Sequence, residues 1–121
     1  MSATHPKVLI IDDCETDRFI MSHHLKSTTA VVVMNENLTE AQQSLQEQQF
    51  SHIFCDLNLP DGDGLAFAQS ILTSIKAAGT QVIVMSSSVS EALESKAKKI
   101  GVEIVQKEFD ASHIMKNIPK A

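Results

Sequence analysis

The chain has 121 residues, of which 43% are hydrophobic and 21% are charged, and this length and composition favour one soluble globular domain covering residues 1–121. Its formal net charge of −5 argues against nucleic acid as the main partner, because phosphate backbones attract basic surfaces. No segment approaches the roughly 20 consecutive apolar residues that a membrane-spanning helix needs.

The N-terminal residues give no sign of a secretory leader, since they lack the basic and apolar regions of a signal peptide. The two cysteines, Cys14 and Cys55, are compatible with a reducing compartment. We therefore expect a cytoplasmic protein without a membrane partner.

Short apolar runs alternate with amphipathic stretches along the chain. The apolar runs are rich in β-branched residues and have the length of buried strands; they cover residues 7–11, 30–34, 52–55, 81–85 and 102–106. Apolar residues at helical spacing predict helices over residues 14–26, 38–48 and 64–78, a fourth after residue 88, and a short fifth that starts near residue 110 and stops before residue 119. Asn37 with Glu40, and Ser88 with Glu91, have the spacing of capping boxes.

The alternation of five strands with five helices predicts an α/β fold, in which helices cover both faces of a parallel sheet. No linker, repeat or composition shift marks a second domain. In an open sheet of this kind, ligands bind at the carboxyl ends of the strands.

Polar side chains follow four of the five predicted strands, at the point where each strand ends. Asp12 and Asp13 follow the first strand, Asp56 the third, Ser86 the fourth and Lys107 the fifth. Because the carboxyl ends of parallel strands meet at one edge of a sheet, we expect these side chains to lie close together.

Three gathered carboxylates repel one another, and a divalent cation relieves that repulsion; oxygen ligands suit Mg²⁺. A carboxylate beside such an ion is able to act as a nucleophile on phosphorus. A lysine and a hydroxyl can then stabilise the phosphoryl oxygens. The pattern therefore predicts a site that binds a divalent cation and accepts a phosphoryl group.

These residues resemble a known family, the receiver domains of bacterial two-component response regulators, over essentially the whole chain. The resemblance rests on residues 12–13, the Asp-Leu-Asn-Leu-Pro segment 56–60, the Asp-Gly pair 63–64, Ser86 and Lys107. It implies a doubly wound (βα)5 fold, flavodoxin-like and CheY-like, with a five-stranded parallel sheet in the strand order 2-1-3-4-5.

The resemblance also implies roles for the acidic residues. Asp56 would be the phosphoacceptor, taking its phosphoryl group from a phosphohistidine on a sensor histidine kinase or a histidine phosphotransfer protein. Asp13, the Asp56 side chain and the backbone carbonyl of Asn58 would ligate Mg²⁺, with Asp12 acting mainly through water.

On the same resemblance, Ser86 would bind the phosphoryl group and shift on activation, and Lys107 would pair with the phosphoryl oxygens. Self-dephosphorylation would depend partly on Asn58 and Ser88. The chain would thus be no conventional enzyme but a stand-alone response regulator, a monomer or weak dimer, that signals to an unidentified protein target through phosphorylation-dependent contacts.

Two positions depart from the family pattern. Glu108 follows Lys107 where the family usually has a proline joined through a cis peptide, and a cis bond at a non-proline costs about 2.5–4 kcal/mol. Ile104 stands where a tyrosine or phenylalanine is common. These departures motivate an alternative, a degenerate or constitutive receiver-type binding module with weak switching.

Two further alternatives stay open: the receiver fragment of a longer regulator, and a phosphohydrolase that uses Asp56 on small phosphates. The hydrolase is less favoured because Asn58 stands where a second acid is needed. Ordinary structural roles are predicted for three further groups: Asp61 and Asp63 as turn residues, Ser88 as a helix cap, and Cys55 as a buried, inert thiol.

Overall fold

A five-stranded parallel sheet forms the centre of the molecule. The computed structural model describes residues 6–77, 79–107 and 118. The strands, in chain order, are β1 Lys7–Ile11, β2 Val31–Asn35, β3 His52–Asp56, β4 Asn58–Leu59, β5 Gly62–Asp63, β6 Gln81–Ser86 and β7 Glu103–Gln106. The main sheet has the order β2-β1-β3-β6-β7, and all its pairs are parallel. Counted within that sheet alone the order is 2-1-3-4-5, which confirms the prediction.

Four helices lie in the described part of the chain: α1 Glu15–Leu25, α2 Leu38–Glu47, α3 Gly64–Ala77 and α4 Glu91–Ile100. They agree with the predicted helices to within about two residues, apart from the start of α4. The fifth predicted helix lies outside the described residues. None of the described helices combines the length and the apolar character needed to cross a membrane.

The sheet separates two apolar cores, because alternate residues of a strand face opposite sides. In β1, Leu9 and Ile11 pack into the core that also contains residues of α2, α3 and α4. Val8 and Ile10 pack into the other core, which α1 covers. All four side chains are fully buried. Helices on both faces confirm the doubly wound architecture.

The predicted capping box at α2 forms with a shifted partner. Asn37 Oδ1 accepts a hydrogen bond from the Glu40 N–H at 2.8 Å, as expected of a cap. The Glu40 carboxylate, however, accepts from the N–H of Glu36 at 2.9 Å, one residue before the cap. Two reciprocal hydrogen bonds therefore form, but the Glu40 carboxylate accepts from the N–H of Glu36 and not from that of Asn37.

The predicted cap of α4 is wrong. The helix begins two residues later than a Ser88 cap requires, and the Ser90 hydroxyl accepts the hydrogen bond from the Leu93 N–H at 3.1 Å. Ser88 instead lies in the preceding loop, where its backbone carbonyl accepts from the Ser86 hydroxyl at 2.7 Å. That hydrogen bond holds Ser88 beside the end of β6, before the start of the helix.

A short antiparallel hairpin, formed by β4 and β5, follows β3 and was not predicted. At its tip, the Asp61 carboxylate accepts hydrogen bonds from the backbone N–H groups of Leu38 at 2.8 Å and Thr39 at 3.0 Å. The turn role predicted for Asp61 is therefore incomplete, since this residue also caps the start of α2. Asp63 does have a local role, since it accepts from the Leu65 N–H at 2.7 Å where α3 begins.

Candidate functional site

Four strand ends bring the predicted site residues to one edge of the sheet. Asp12 follows β1 and Asp56 ends β3, and these strands are neighbours whose last paired residues are Ile11 and Cys55. Ser86 ends β6, the other neighbour of β3. Lys107 follows β7, and its backbone N–H donates to the Ser86 carbonyl at 2.7 Å. The expected convergence at the carboxyl edge is thus present.

Three carboxylates at this edge are placed to hold one cation. Asp12, Asp13 and Asp56 each offer a carboxylate oxygen, and these oxygens all lie within 4.8 Å of one another. Asp12 is fully buried, Asp56 is buried and Asp13 is exposed. A cation bound among them would therefore have protein on one side and solvent on the other.

The Asp12 carboxylate provides a test of whether the donors fit a metal. Its Oδ1 accepts from the Cys14 N–H at 2.9 Å. Its Oδ2 is buried and accepts no hydrogen bond from the described residues, although Lys107 Nζ lies 2.8 Å away as an ion pair. A buried carboxylate oxygen with unused lone pairs is costly unless something satisfies it. The three candidate ligands are all carboxylate oxygens, and such oxygens fit a hard divalent cation such as Mg²⁺.

The Asp56 carboxylate lies between a backbone N–H donor and the Lys107 ammonium. Its Oδ1 accepts a long hydrogen bond of 3.5 Å from the Asn58 N–H, and its Oδ2 lies 3.2 Å from Lys107 Nζ. Burial raises the pKa of Asp56, Lys107 opposes that shift and Asp12 adds to it, and the pKa remains above its ordinary value. One lysine therefore leaves the charge of the acidic cluster incompletely balanced.

Lys107 is the cationic centre of the site. Burial alone would lower the pKa of its ammonium, but the adjacent carboxylates of Asp12 and Asp17 and the charge of Asp56 outweigh burial and raise that pKa. The side chain is 10% exposed. Lys107 is therefore charged at neutral pH and lies beside Asp56, unlike a lysine in a solvated loop.

Asp17 is a site residue that the sequence reasoning missed. It lies in the first turn of α1, and its Oδ2 accepts a hydrogen bond from Lys107 Nζ at 2.9 Å. The available signal was its position in the first turn of the predicted helix that directly follows Asp12 and Asp13. The contact joins residues 90 apart in the chain, so sequence spacing alone gave no reason to expect Lys107 as the partner.

The close approach of two backbone segments requires a glycine at position 64. Its backbone N–H donates to the Leu57 carbonyl at 2.7 Å, which brings the start of α3 against the end of β3. A Cβ at residue 64 would overlap the Asp56 carbonyl oxygen. Only glycine permits this approach, which fixes the backbone that carries Asp56.

Cys55 matches the prediction of an inert thiol. Its side chain is fully buried, and burial first, then the charges of Asp56, Asp12 and Asp63, raise the pKa of the thiol to about 12. The reactive thiolate is therefore absent at neutral pH.

The remaining predicted positions lie around this cluster. The Ser86 hydroxyl is buried and turned into its own loop, where it bonds to Ser88. Asn58 begins β4, two residues after Asp56. Ile104 is half-buried and packs against the core under α2, α3 and α4. Glu108, and with it the question of a cis or trans bond after Lys107, lies outside the described residues.

The parallel sheet, the helices on both its faces and the acidic cluster at its carboxyl edge together define a receiver-like α/β domain. A sequence profile of the response regulator receiver domain matches residues 8–119, and the chain therefore belongs to that family, the receiver component of two-component systems. The family resemblance seen in the sequence is confirmed.

Individual relatives agree with this assignment. The chain is 27% identical over 100 residues to the probable chemotaxis protein CheY of Rhizobium etli, covering 82% of this chain and 78% of that protein. Its fold matches the chemotaxis response regulator CheY4 of Vibrio cholerae with a TM-score of 0.81 at 24% identity, covering 93% and 95% of the two chains. The isolated receiver domain of RcsB from Salmonella enterica serovar Typhimurium gives a TM-score of 0.81 at 23% identity, covering 93% and 85%.

Proposed function

We propose that this receiver accepts a phosphoryl group on Asp56 from a phosphohistidine donor in the presence of Mg²⁺, and that it signals through phosphorylation-dependent protein contacts. The observation that carries this proposal is the position of Asp56. Its buried carboxylate lies 3.2 Å from the Lys107 ammonium and belongs to a cluster of carboxylates that are close enough to hold one cation. Membership of the receiver family supports it. The donor would be a sensor histidine kinase or a histidine phosphotransfer protein.

The metal site would be formed by Asp13, the Asp56 side chain and the Asn58 backbone carbonyl, with Asp12 acting mainly through water. Bound Mg²⁺ would supply positive charge to the phosphoryl oxygens and to the crowded carboxylates. The close carboxylate oxygens of Asp12, Asp13 and Asp56 support this assignment.

In the transfer step, a carboxylate oxygen of Asp56 attacks the phosphorus atom of the donor. The new O–P bond forms as the N–P bond to the donor imidazole breaks, and the electron pair of the broken bond stays on that nitrogen. Lys107 stabilises the charge on the phosphoryl oxygens. The Ser86 hydroxyl, once it leaves the Ser88 carbonyl, donates to one of them.

The direct test is incubation of the chain with a small phosphodonor such as acetyl phosphate, with and without Mg²⁺, followed by intact mass measurement. The expected result is a gain of one phosphoryl group that requires Mg²⁺ and is absent from Asp56→Asn. An equal gain in Asp56→Asn would contradict the proposal. So would the absence of any gain at high donor concentration.

A constitutive binding module is the second candidate, favoured by the half-buried Ile104 in place of an aromatic read-out residue and by the engagement of Ser86 with its own loop. Amide spectra with beryllofluoride, a phosphoryl mimic, and Mg²⁺ separate the two. Shifts that extend through the Ser86 loop and β7 favour a switch. Shifts confined to the surroundings of Asp56 favour a module that does not switch.

A further inference from the structure

Three acidic side chains already lie against the Lys107 ammonium. An ammonium group has three N–H donors, and three carboxylates of the described chain lie within 3.2 Å of Lys107 Nζ, those of Asp12, Asp17 and Asp56. Asp12 and Asp56 belong to the cation cluster, whereas Asp17 is no member of that cluster among the described residues. An arriving phosphoryl group therefore meets a lysine that already donates a hydrogen bond to Asp17 and is ion-paired with Asp12 and Asp56.

Of these three acids, Asp17 is the one that Lys107 can most easily release. The Asp17 side chain is 21% exposed, against 10% for Asp56 and 0% for Asp12. Water can replace the lysine at a partly exposed carboxylate, whereas a buried carboxylate that loses its partner pays the full cost of desolvation. Asp17 also belongs to α1, so its release leaves the strand ends in place.

We propose that Asp17 is a positioning residue that competes with the phosphoryl group for Lys107, an inference that rests on the proposed phosphoacceptor function. In the unphosphorylated protein, Asp17 holds the ammonium by a hydrogen bond of 2.9 Å. When a phosphoryl group is attached to Asp56, its oxygens take that donor and Asp17 turns to solvent. The competition weakens the hold of the site on the phosphoryl group and favours the unphosphorylated state.

Charge acts in the same direction as the lost hydrogen bond. A phosphoryl group brings negative charge to a site that already contains Asp12, Asp13, Asp17 and Asp56. Asp17 adds negative charge beside Lys107 and is not one of the three residues of the cation cluster. Removing this one charge should therefore strengthen anion binding without removing a predicted metal ligand.

The test is titration of beryllofluoride in the presence of saturating Mg²⁺, measured by calorimetry or by amide spectra, since the chain has no Trp or Tyr for a fluorescence signal. Asp17→Asn keeps the shape of the side chain and removes its charge, and it should bind beryllofluoride about two- to tenfold more tightly. Asp17→Glu keeps the charge and should remain near the unmodified chain.

Glu15→Gln is the matched control, because Glu15 is exposed, lies in the same first turn of α1 and carries the same charge. It should alter affinity by much less than Asp17→Asn does. A gain in affinity also cannot come from a damaged fold, which would weaken binding.

The results distinguish failure of this inference from failure of the proposed function. If the unmodified chain binds beryllofluoride and Asp17→Asn binds it equally or more weakly, Asp17 does not compete for Lys107 and the inference is overturned. The same holds if Glu15→Gln gains as much as Asp17→Asn. If the unmodified chain does not bind beryllofluoride at all, the phosphoacceptor function fails, and the inference fails with it.

Discussion

The two halves of the strand-end site are built very differently. The acceptor half, Asp12, Asp13 and Asp56, follows the central strands β1 and β3, and every residue of β3 is buried. The read-out half, Ser86, Ile104 and Lys107, depends on β6 and on the edge strand β7, where no residue is fully buried. The acceptor half thus rests on two central strands, whereas part of the read-out half rests on an edge strand that is paired on one side only.

The departures from the family pattern fall on the read-out half. Ile104 stands where an aromatic residue is common and Glu108 follows Lys107 where a proline is usual, while the acidic positions and the lysine match the family. A receiver can therefore keep the means to accept a phosphoryl group while the route by which the change is transmitted differs. The predictions that follow test whether the two halves are separable in this way.

Lys107 is the residue that joins the two halves, and its removal should have the greatest consequence. Lys107→Gln leaves Asp12 buried beside Asp56 without a counter-charge, and loss of one partner of a buried ion pair costs about 3–5 kcal/mol. We expect the free energy of unfolding in denaturant to fall by about that amount without Mg²⁺ and to recover partly when Mg²⁺ is added.

Lys99→Gln is the control for this change, because Lys99 is an exposed lysine in the last turn of α4. Its unfolding should stay within about 0.5 kcal/mol of the unmodified chain. A Lys107→Gln variant as stable as Lys99→Gln would show that the acidic cluster does not need the lysine.

Gly64→Ala should damage the acceptor half alone. The new Cβ would overlap the Asp56 carbonyl oxygen, and such overpacking costs about 1–3 kcal/mol. Phosphorylation should fall together with stability, as measured by thermal unfolding and by mass gain with a phosphodonor.

Gly79→Ala separates this clash from backbone strain. Gly79 has φ +77°, but a Cβ there would meet no described atom within 4 Å. The variant should lose about 1–2 kcal/mol through its left-handed backbone and keep its capacity for phosphorylation. Equal loss of phosphorylation in both variants would contradict the role given to Gly64.

Asp56→Asn should stabilise the unphosphorylated fold at pH 7. Burial raises the pKa of Asp56 in the folded state, so the charged form is disfavoured there and the unfolded chain gives up its proton first. The destabilising effect of the charge is complete above the raised pKa and disappears as the pH falls below the ordinary value. The stability gain of Asp56→Asn, measured by denaturant unfolding, should therefore shrink toward acid pH. A gain independent of pH would refute this cause.

Asp61→Asn should have the smallest effect and leave the acceptor half unchanged. Hydrogen bonds from the backbone of Leu38 and Thr39 lower the pKa of Asp61, so its contribution to stability is present above the ordinary pKa and is lost as the pH falls through the lowered value. We expect a small drop in melting temperature at pH 7 that vanishes in acid, with unaltered phosphorylation. A large loss of phosphorylation would instead link the α2 cap to the site.

The strands and the convergence of Asp12, Asp56 and Lys107 could be predicted, because parallel strands place their carboxyl ends together whatever their detailed packing. The strand order of the sheet followed from the family resemblance alone. Contacts that depend on side-chain reach could not. Asp17 meets Lys107, and Asp61 meets α2, across long separations in sequence.

The predicted start of α4 is wrong for a different reason. Ser88 and Ser90 are both acceptable caps, and the hydrogen bond between Ser86 and Ser88 decides in favour of Ser90. Local sequence preferences do not determine which serine caps the helix, because that depends on the conformation of the loop after β6.

The most direct measurement is the identification of the modified side chain. After incubation with acetyl phosphate and Mg²⁺, borohydride reduces an aspartyl phosphate to homoserine, and peptide mass spectrometry locates that residue. Homoserine at position 56, formed only when Mg²⁺ was present, is the predicted result. A modification at any other residue, or no reduced product from a correctly folded chain, would contradict the assignment of Asp56 as phosphoacceptor.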